Sequence, residues 1–166
     1  MQAMTQRAFE DFQPGDAFPL ASVSVTRADI IAFASLYDPQ PFHLDEEAGR
    51  ASLLGGLAAS GWHTLSIAMR LFADGVLNDS ASMGSPGLDR VSWRAPVLPD
   101  DVLSGTCTIR ETRISRSRPE MGFVLVSIVL VNQRGQTVIE MEAPVMIGRR
   151  VAAVTEEPYI LPETGR

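Results

Sequence analysis

Apolar positions recur along this chain with two different periods, and the change between them divides it into two halves. Between residues 26 and 77 they are spaced by three and four, as on helices; from residue 91 onward they alternate, as on strands. Ile30, Ile31, Phe33, Ala34 and Tyr37 mark one face of a helix from Thr26 to Tyr37. Thr26 followed by Asp29 is a capping-box-like start, with Asp in place of Glu or Gln. Leu65, Met69, Phe72 and Val76 fall at i, i+4, i+7 and i+11 of a second helix, predicted from Gly61 through Asp74 with Ser60 as its N-cap. Trp62, Ile67, Ala68 and Leu71 fill its other faces, so this helix is apolar nearly all round and is expected inside the protein.

In the second half, Val91, Trp93, Ala95 and Val97 alternate with polar residues. Val102 to Ile114 reads as a strand, and Phe123–Val131 is an almost unbroken β-forming run. A turn at Asn132-Gln133-Arg134-Gly135 leads to a last strand in which Ile139, Met141, Ala143, Val145 and Ile147 alternate. A short early strand is expected over Leu20–Val25, and Asp45 can cap a short helix through Glu46-Glu47-Ala48. The run at 123–131 is apolar on both faces, so its sheet needs cover on both sides, and a second copy of the chain is a natural cover. Helices first and an antiparallel sheet after them make an α+β pattern. No linker interrupts it, so residues 1–166 form one domain; residues 1–14, with a turn at Pro14-Gly15-Asp16, and the tail at 151–166 are expected to be peripheral.

Composition narrows the function classes. At 166 residues, 45% apolar and 20% charged, the chain is an ordinary globular protein. A net charge of −6 argues against nucleic acid or an anionic membrane as partner. The chain has no lysine, so every basic side chain is an arginine, whose rigid fork suits phosphate. The single cysteine, Cys107, excludes an internal disulfide and fits a reducing, cytoplasmic setting; it reads as a packed thiol. No run is long enough for a membrane helix, and the N-terminus has no signal-peptide core.

The chemistry concentrates in Asp38-Pro39-Gln40-Pro41-Phe42-His43, where a carboxylate and an imidazole stand five residues apart. Pro39 and Pro41 fix their own φ and push Asp38 and Gln40 out of the α region, so the first helix must end near Asp38. That places a negative charge at a helix C-terminus, against the macrodipole. An acid/base pair on a stiffened loop suggests proton transfer. The later run Gly55-Gly56-Leu57-Ala58-Ala59-Ser60-Gly61 is unusually small in side-chain volume.

The run Y-D-P-Q-P-F-H-L-D-E-E-A-G-R resembles the hydratase motif of MaoC-like dehydratases and (R)-specific enoyl-CoA hydratases. Further runs at family-like spacing add to the resemblance: G-L-A-A-S-G-W-H-T, G-L-D-R-V-S-W-R-A-P-V-L-P-D-D, and S-R-S-R-P-E-M-G-F-V with V-N-Q-R-G-Q. Together they cover the chain from about residue 15 to residue 150. The resemblance implies a single hot-dog domain, a curved antiparallel sheet wrapped around a long central α-helix. It also implies a homodimer, or a larger dimer-based assembly, with the acyl tunnel and coenzyme A groove along the subunit interface. The implied activity is a hydro-lyase reaction, the reversible hydration of a trans-2-enoyl thioester to an (R)-3-hydroxyacyl thioester. Two other readings remain: a non-catalytic subunit that binds acyl-CoA, and an acyl-CoA thioesterase, since one fold hosts several chemistries.

The resemblance assigns Asp38 and His43 to hold and activate a water. Gly61, the first residue of a helix capped by Ser60, becomes the backbone donor for the thioester oxyanion. Gln40, Pro41, Phe42, Ser60 and Trp62 are expected to contact substrate, with Gln40 mainly shaping the loop where relatives often carry Asn. Arg90 and Arg94, and also Arg116 and Arg118, are candidates for the phosphates of coenzyme A. His63 reads as a packing or capping residue. Met69 stands where some such hydratases have a small polar residue near the water. Asp45, Glu46 and Glu47 suit a helix first turn better than a metal, and two histidines without zinc spacing give no metal site; no cofactor is expected.

Overall fold

The computed structural model describes residues 6–150, so the tail at 151–166 lies outside the described residues. Five antiparallel strands, β1 (Ala17–Ser24), β2 (Arg90–Trp93), β3 (Val102–Ile114), β4 (Met121–Val131) and β5 (Thr137–Gly148), form one sheet in the order β1-β3-β4-β5-β2. Strand β4 is central, and its apolar run is used as the alternation requires. Val124, Val126, Ile128 and Leu130 are at most 2% exposed and share one core with Ala68, Leu71 and Phe72 of the helix lying on that face. Each such side chain contributes roughly 1.5–3 kcal/mol relative to remaining exposed. On the opposite face Phe123, Leu125, Val129 and Val131 are only half-buried.

The helices are α1 (Arg27–Tyr37), α2 (Pro41–Leu44), α3 (Glu46–Ala51) and α4 (Gly61–Phe72). The capping box at α1 forms as read: the Asp29 amide donates to Thr26 Oγ1 at 3.1 Å, and the Thr26 amide to the Asp29 carboxylate at 3.3 Å. Helix α4 is the long central element, but it differs from expectation in two ways. It does not continue as α-helix to Asp74; Ala73–Leu77 widens into a π-turn, with the Asn78 amide donating to the Ala73 carbonyl. Nor is it enclosed all round. Its buried face is His63, Thr64, Ala68, Leu71 and Phe72, whereas Trp62 is 60% and Met69 44% exposed. These two line an open apolar groove of about 680 Å³ with Phe33, Tyr37, Leu65 and Leu88.

Two further expectations are corrected. The lead-in is not peripheral: Phe9 and Phe12 are buried in the core, and Phe9 packs over Gly122, where a Cβ would lie 2.3 Å from its ring. The alternation through Ala95 and Val97 does not extend β2, which stops at Trp93. Pro96 has no amide to offer a ladder, and the chain turns inward so that the Val97 carbonyl accepts from the Ala59 amide at 2.8 Å.

Candidate active site

Helix α1 ends where the prolines require. Asp38 is its C-cap, with the amide still bonded to the Ala34 carbonyl at 2.9 Å. Gln40 is extended, as the residue before a proline must be, and Pro41 then opens the single turn α2 from its favoured first position. The second half of the expected loop is therefore helical, and this turn carries His43 inward, to 6% exposure. Asp45 caps α3 through the Ala48 amide at 2.9 Å.

Asp38 and His43 meet. Asp38 Oδ2 lies 3.5 Å from His43 Nε2. The other ring nitrogen, Nδ1, is 2.6 Å from the Ala58 carbonyl oxygen, which can only accept, so Nδ1 carries the hydrogen. With Nδ1 carrying a hydrogen, Nε2 is the ring nitrogen turned toward the carboxylate, and in the neutral ring it is an acceptor. Ser60, fully buried, donates its hydroxyl to Asp38 Oδ2 at 2.6 Å, and the Gln40 amide donates to Oδ1 at 2.7 Å. These two bonds, Ser60's first, hold the Asp38 carboxyl below the usual carboxylate range against the opposing effect of burial.

The Ser60 oxygen also accepts from the Trp62 amide at 3.2 Å, capping α4. The amide of Gly61, first residue of that helix, has no acceptor among the described residues. Its side-chain space is already taken, because a Cβ would lie 2.8 Å from Cε2 and 2.9 Å from Nε1 of Trp93. The glycine is needed for that indole, which donates to the Gly61 carbonyl at 2.8 Å. A cavity of about 430 Å³ opens here, with His43, Gly61, Phe42, Leu53, Trp93 and Val97 in its wall. Its outer rim is the loop after α3. Gly49 abuts the Gly56–Leu57 backbone so closely that a Cβ would come within 2.4 Å, and Leu53 projects fully exposed between them.

The structure therefore brings Asp38, Gln40, His43, Ser60 and Gly61 together, with Phe42 in the cavity wall. Ser60 lies beneath the site, its hydroxyl engaged on both sides, and Pro41 is exposed at the start of α2. Trp62 faces the 680 Å³ groove instead, and so does Met69. Arg94 borders the cavity with its guanidinium on Glu140 at 2.7 Å; Arg90 sits near Glu140 and Glu142. Arg116 and Arg118 are in the β3–β4 hairpin. Trp93 pairs with Ile139, Ile139 with Leu130 and Leu130 with Gly105, so the hairpin lies roughly 30 Å further along β3 at a strand's rise per residue. Within one chain those two arginines stand apart from the cavity.

Sequence reasoning did not identify the Ala58 carbonyl that fixes the histidine tautomer, or Trp93, whose alternation marked it only as a strand residue. His63 is a packing residue: its ring stacks on Phe33 at 4.7 Å and 6°, and burial pushes its pKa down against the pull of Asp29. Cys107 is buried, its thiol pushed up to about 12. Among the described residues no cluster could hold a metal ion, and no helix is long and apolar enough to cross a membrane.

The MaoC-like domain model matches residues 11–129. YdeM of Bacillus subtilis (strain 168), itself uncharacterized, is 32% identical over 141 residues, covering 84% of this chain and 98% of that protein. The crystal structure of a MaoC-like dehydratase from Rhodospirillum rubrum is 44% identical with a TM-score of 0.81, covering 87% of this chain and 99% of that one. The R-hydratase PhaJ1 of Pseudomonas aeruginosa shares the fold at 18% identity, with a TM-score of 0.69 and coverage of 94% and 97%. The five-stranded antiparallel sheet around α4 is thus a hot-dog fold, and the chain belongs to the MaoC-like dehydratase domain family.

Proposed function

We propose that this cavity adds water reversibly to a trans-2-enoyl thioester, giving the (R)-3-hydroxyacyl thioester. The observation that carries the reading is the approach of Asp38 Oδ2 and His43 Nε2 to 3.5 Å, with Nδ1 held at the Ala58 carbonyl, beside a helix-end amide that has no acceptor among the described residues. Two acceptors at that separation suit a water that donates a hydrogen to each. The water oxygen attacks the β-carbon, one of the pair takes its proton, and that same proton is then delivered to the α-carbon, so that H and OH are added and both groups return to their starting state. Charge building on the thioester oxygen is met by the Gly61 amide, with the positive end of α4 behind it. Such positioned acid/base groups contribute roughly 10²–10⁴-fold.

Coenzyme A is the carrier we favour, in a cytoplasmic enzyme. A second copy of the chain over the apolar groove at Trp62 and Met69 would bury it in a homodimer. The test is the loss of enoyl-thioester absorbance when crotonyl-CoA is added to purified protein. Asp38→Asn should reduce turnover at least about 100-fold in a protein that still folds. Wild-type turnover in that variant refutes the mechanism. Release of free thiol without hydration would make the protein a thioesterase, and binding without turnover a non-catalytic subunit.

A further inference from the structure

We propose that Ser60 is the positioning residue of this site: one hydroxyl, donating to Asp38 and accepting from the Trp62 amide, ties the carboxylate to the leading turn of α4. The proposal rests on the hydration reading for its catalytic consequence, but not for its geometry. A serine hydroxyl has one hydrogen. Because the Trp62 amide hydrogen already occupies a lone pair of Oγ, that one hydrogen points at Asp38 Oδ2, 2.6 Å away. Ser60 is fully buried, so solvent cannot substitute for it. The carboxylate is 22 residues distant in sequence, and this bond joins the end of α1 to the start of α4 directly.

Two consequences follow for the chemistry. First, the donors are divided, Ser60 to Oδ2 and Gln40 to Oδ1, so each oxygen keeps acceptor capacity, and Oδ2 turns its own toward His43. Second, the atom that fixes Asp38 also fixes the amide following Gly61, so the water-binding carboxylate and the oxyanion donor cannot drift independently. Gln40 is exposed and reaches only Oδ1, which makes it an adjustable second donor rather than a structural one.

The test separates this role from simple helix capping. Glycine is nearly as good an N-cap as serine, so Ser60→Gly removes the hydroxyl and keeps the helix start. The Asp38 carboxyl is titrated by ¹³C NMR in the wild type, Ser60→Gly, Ser60→Thr and Gln40→Ala, with no substrate present. The midpoint should move up in Ser60→Gly, move up in Gln40→Ala, and return toward wild type in Ser60→Thr. On crotonyl-CoA, Ser60→Gly should lose at least about tenfold in kcat, with its acid limb following the NMR midpoint. A folded Ser60→Gly whose Asp38 titrates as in the wild type overturns the proposal. So does Ser60→Gly with a wild-type acid limb. A shifted midpoint in a protein that hydrates no enoyl thioester would sink the hydration reading and leave the positioning role standing. If Ser60→Gly does not fold, Gln40→Ala still decides: with the Ser60 donor left in place its Asp38 midpoint should stay below that of a free aspartate, and a midpoint at or above the free value overturns the proposal.

Discussion

Gly61→Ala sets the helix-end amide against its neighbour and has a calculable outcome. In an unconstrained helix the change would stabilise by about 0.5–1 kcal/mol. Here the new methyl would come 2.8 to 3.2 Å from Cε2, Nε1 and Cδ2 of Trp93, well inside van der Waals contact, so the indole must swing outward. Trp93 is 48% exposed, so it has room to move. Moving breaks its bond to the Gly61 carbonyl, about 0.5–1.5 kcal/mol. It also uncovers part of the buried half of the ring; at about 25 cal/mol per Å² over some 60 Å², that adds roughly 1.5 kcal/mol. The net expectation is destabilisation by about 1–2.5 kcal/mol. Urea unfolding followed by tryptophan fluorescence should show the midpoint falling by about 0.5–1 M with an unchanged slope. In a Trp93→Ala background the penalty should vanish, leaving the intrinsic gain. Gly61→Ala as stable as wild type, or equally damaging with and without Trp93, would refute the steric account.

Two further outcomes check other parts of the fold. Phe9→Ala should cost about 3–4 kcal/mol, because it empties the space over Gly122, and thermal unfolding should register it as a core change. His63 binds its proton less readily folded than unfolded, so the unfolded chain holds more protons as pH falls from about 6.5. Its contribution to stability is therefore full above that pH and declines below it; comparing urea midpoints at pH 7.5 and 5.5, His63→Phe should lose less on acidification than the wild type.

What could be read in advance was local. The Thr26/Asp29 box, the Ser60 cap and the proline-imposed end of α1 all depend on neighbours within four residues, and all three formed as read. The carboxylate at the end of α1 broke a local rule, and the sequence showed no compensation. The compensation is Ser60, brought from 22 residues away, together with Gln40. The misses share a tertiary cause. Phe9 gave no periodic signal because it fills a gap left by Gly122 on β4. Ala95 and Val97 alternate like strand residues, yet the Val97 carbonyl serves Ala59. The outward turn of Trp62 and Met69 was invisible because a helix apolar on every side cannot announce which side stays open.

The contact of Gly49 with the Gly56–Leu57 backbone has a bearing on how such a site can diversify. It clamps both ends of a short bridge, Ser52–Gly55, main chain against main chain; the Ser52 hydroxyl reinforces the clamp by donating to the Gly49 carbonyl and accepting from the Leu54 amide, while Leu53 projects fully exposed. Leu53, fully exposed in the wall of the cavity, can be exchanged without touching Ala58, whose carbonyl steadies His43. Ligand preference can be retuned at the entrance while the reactive groups behind it stay put.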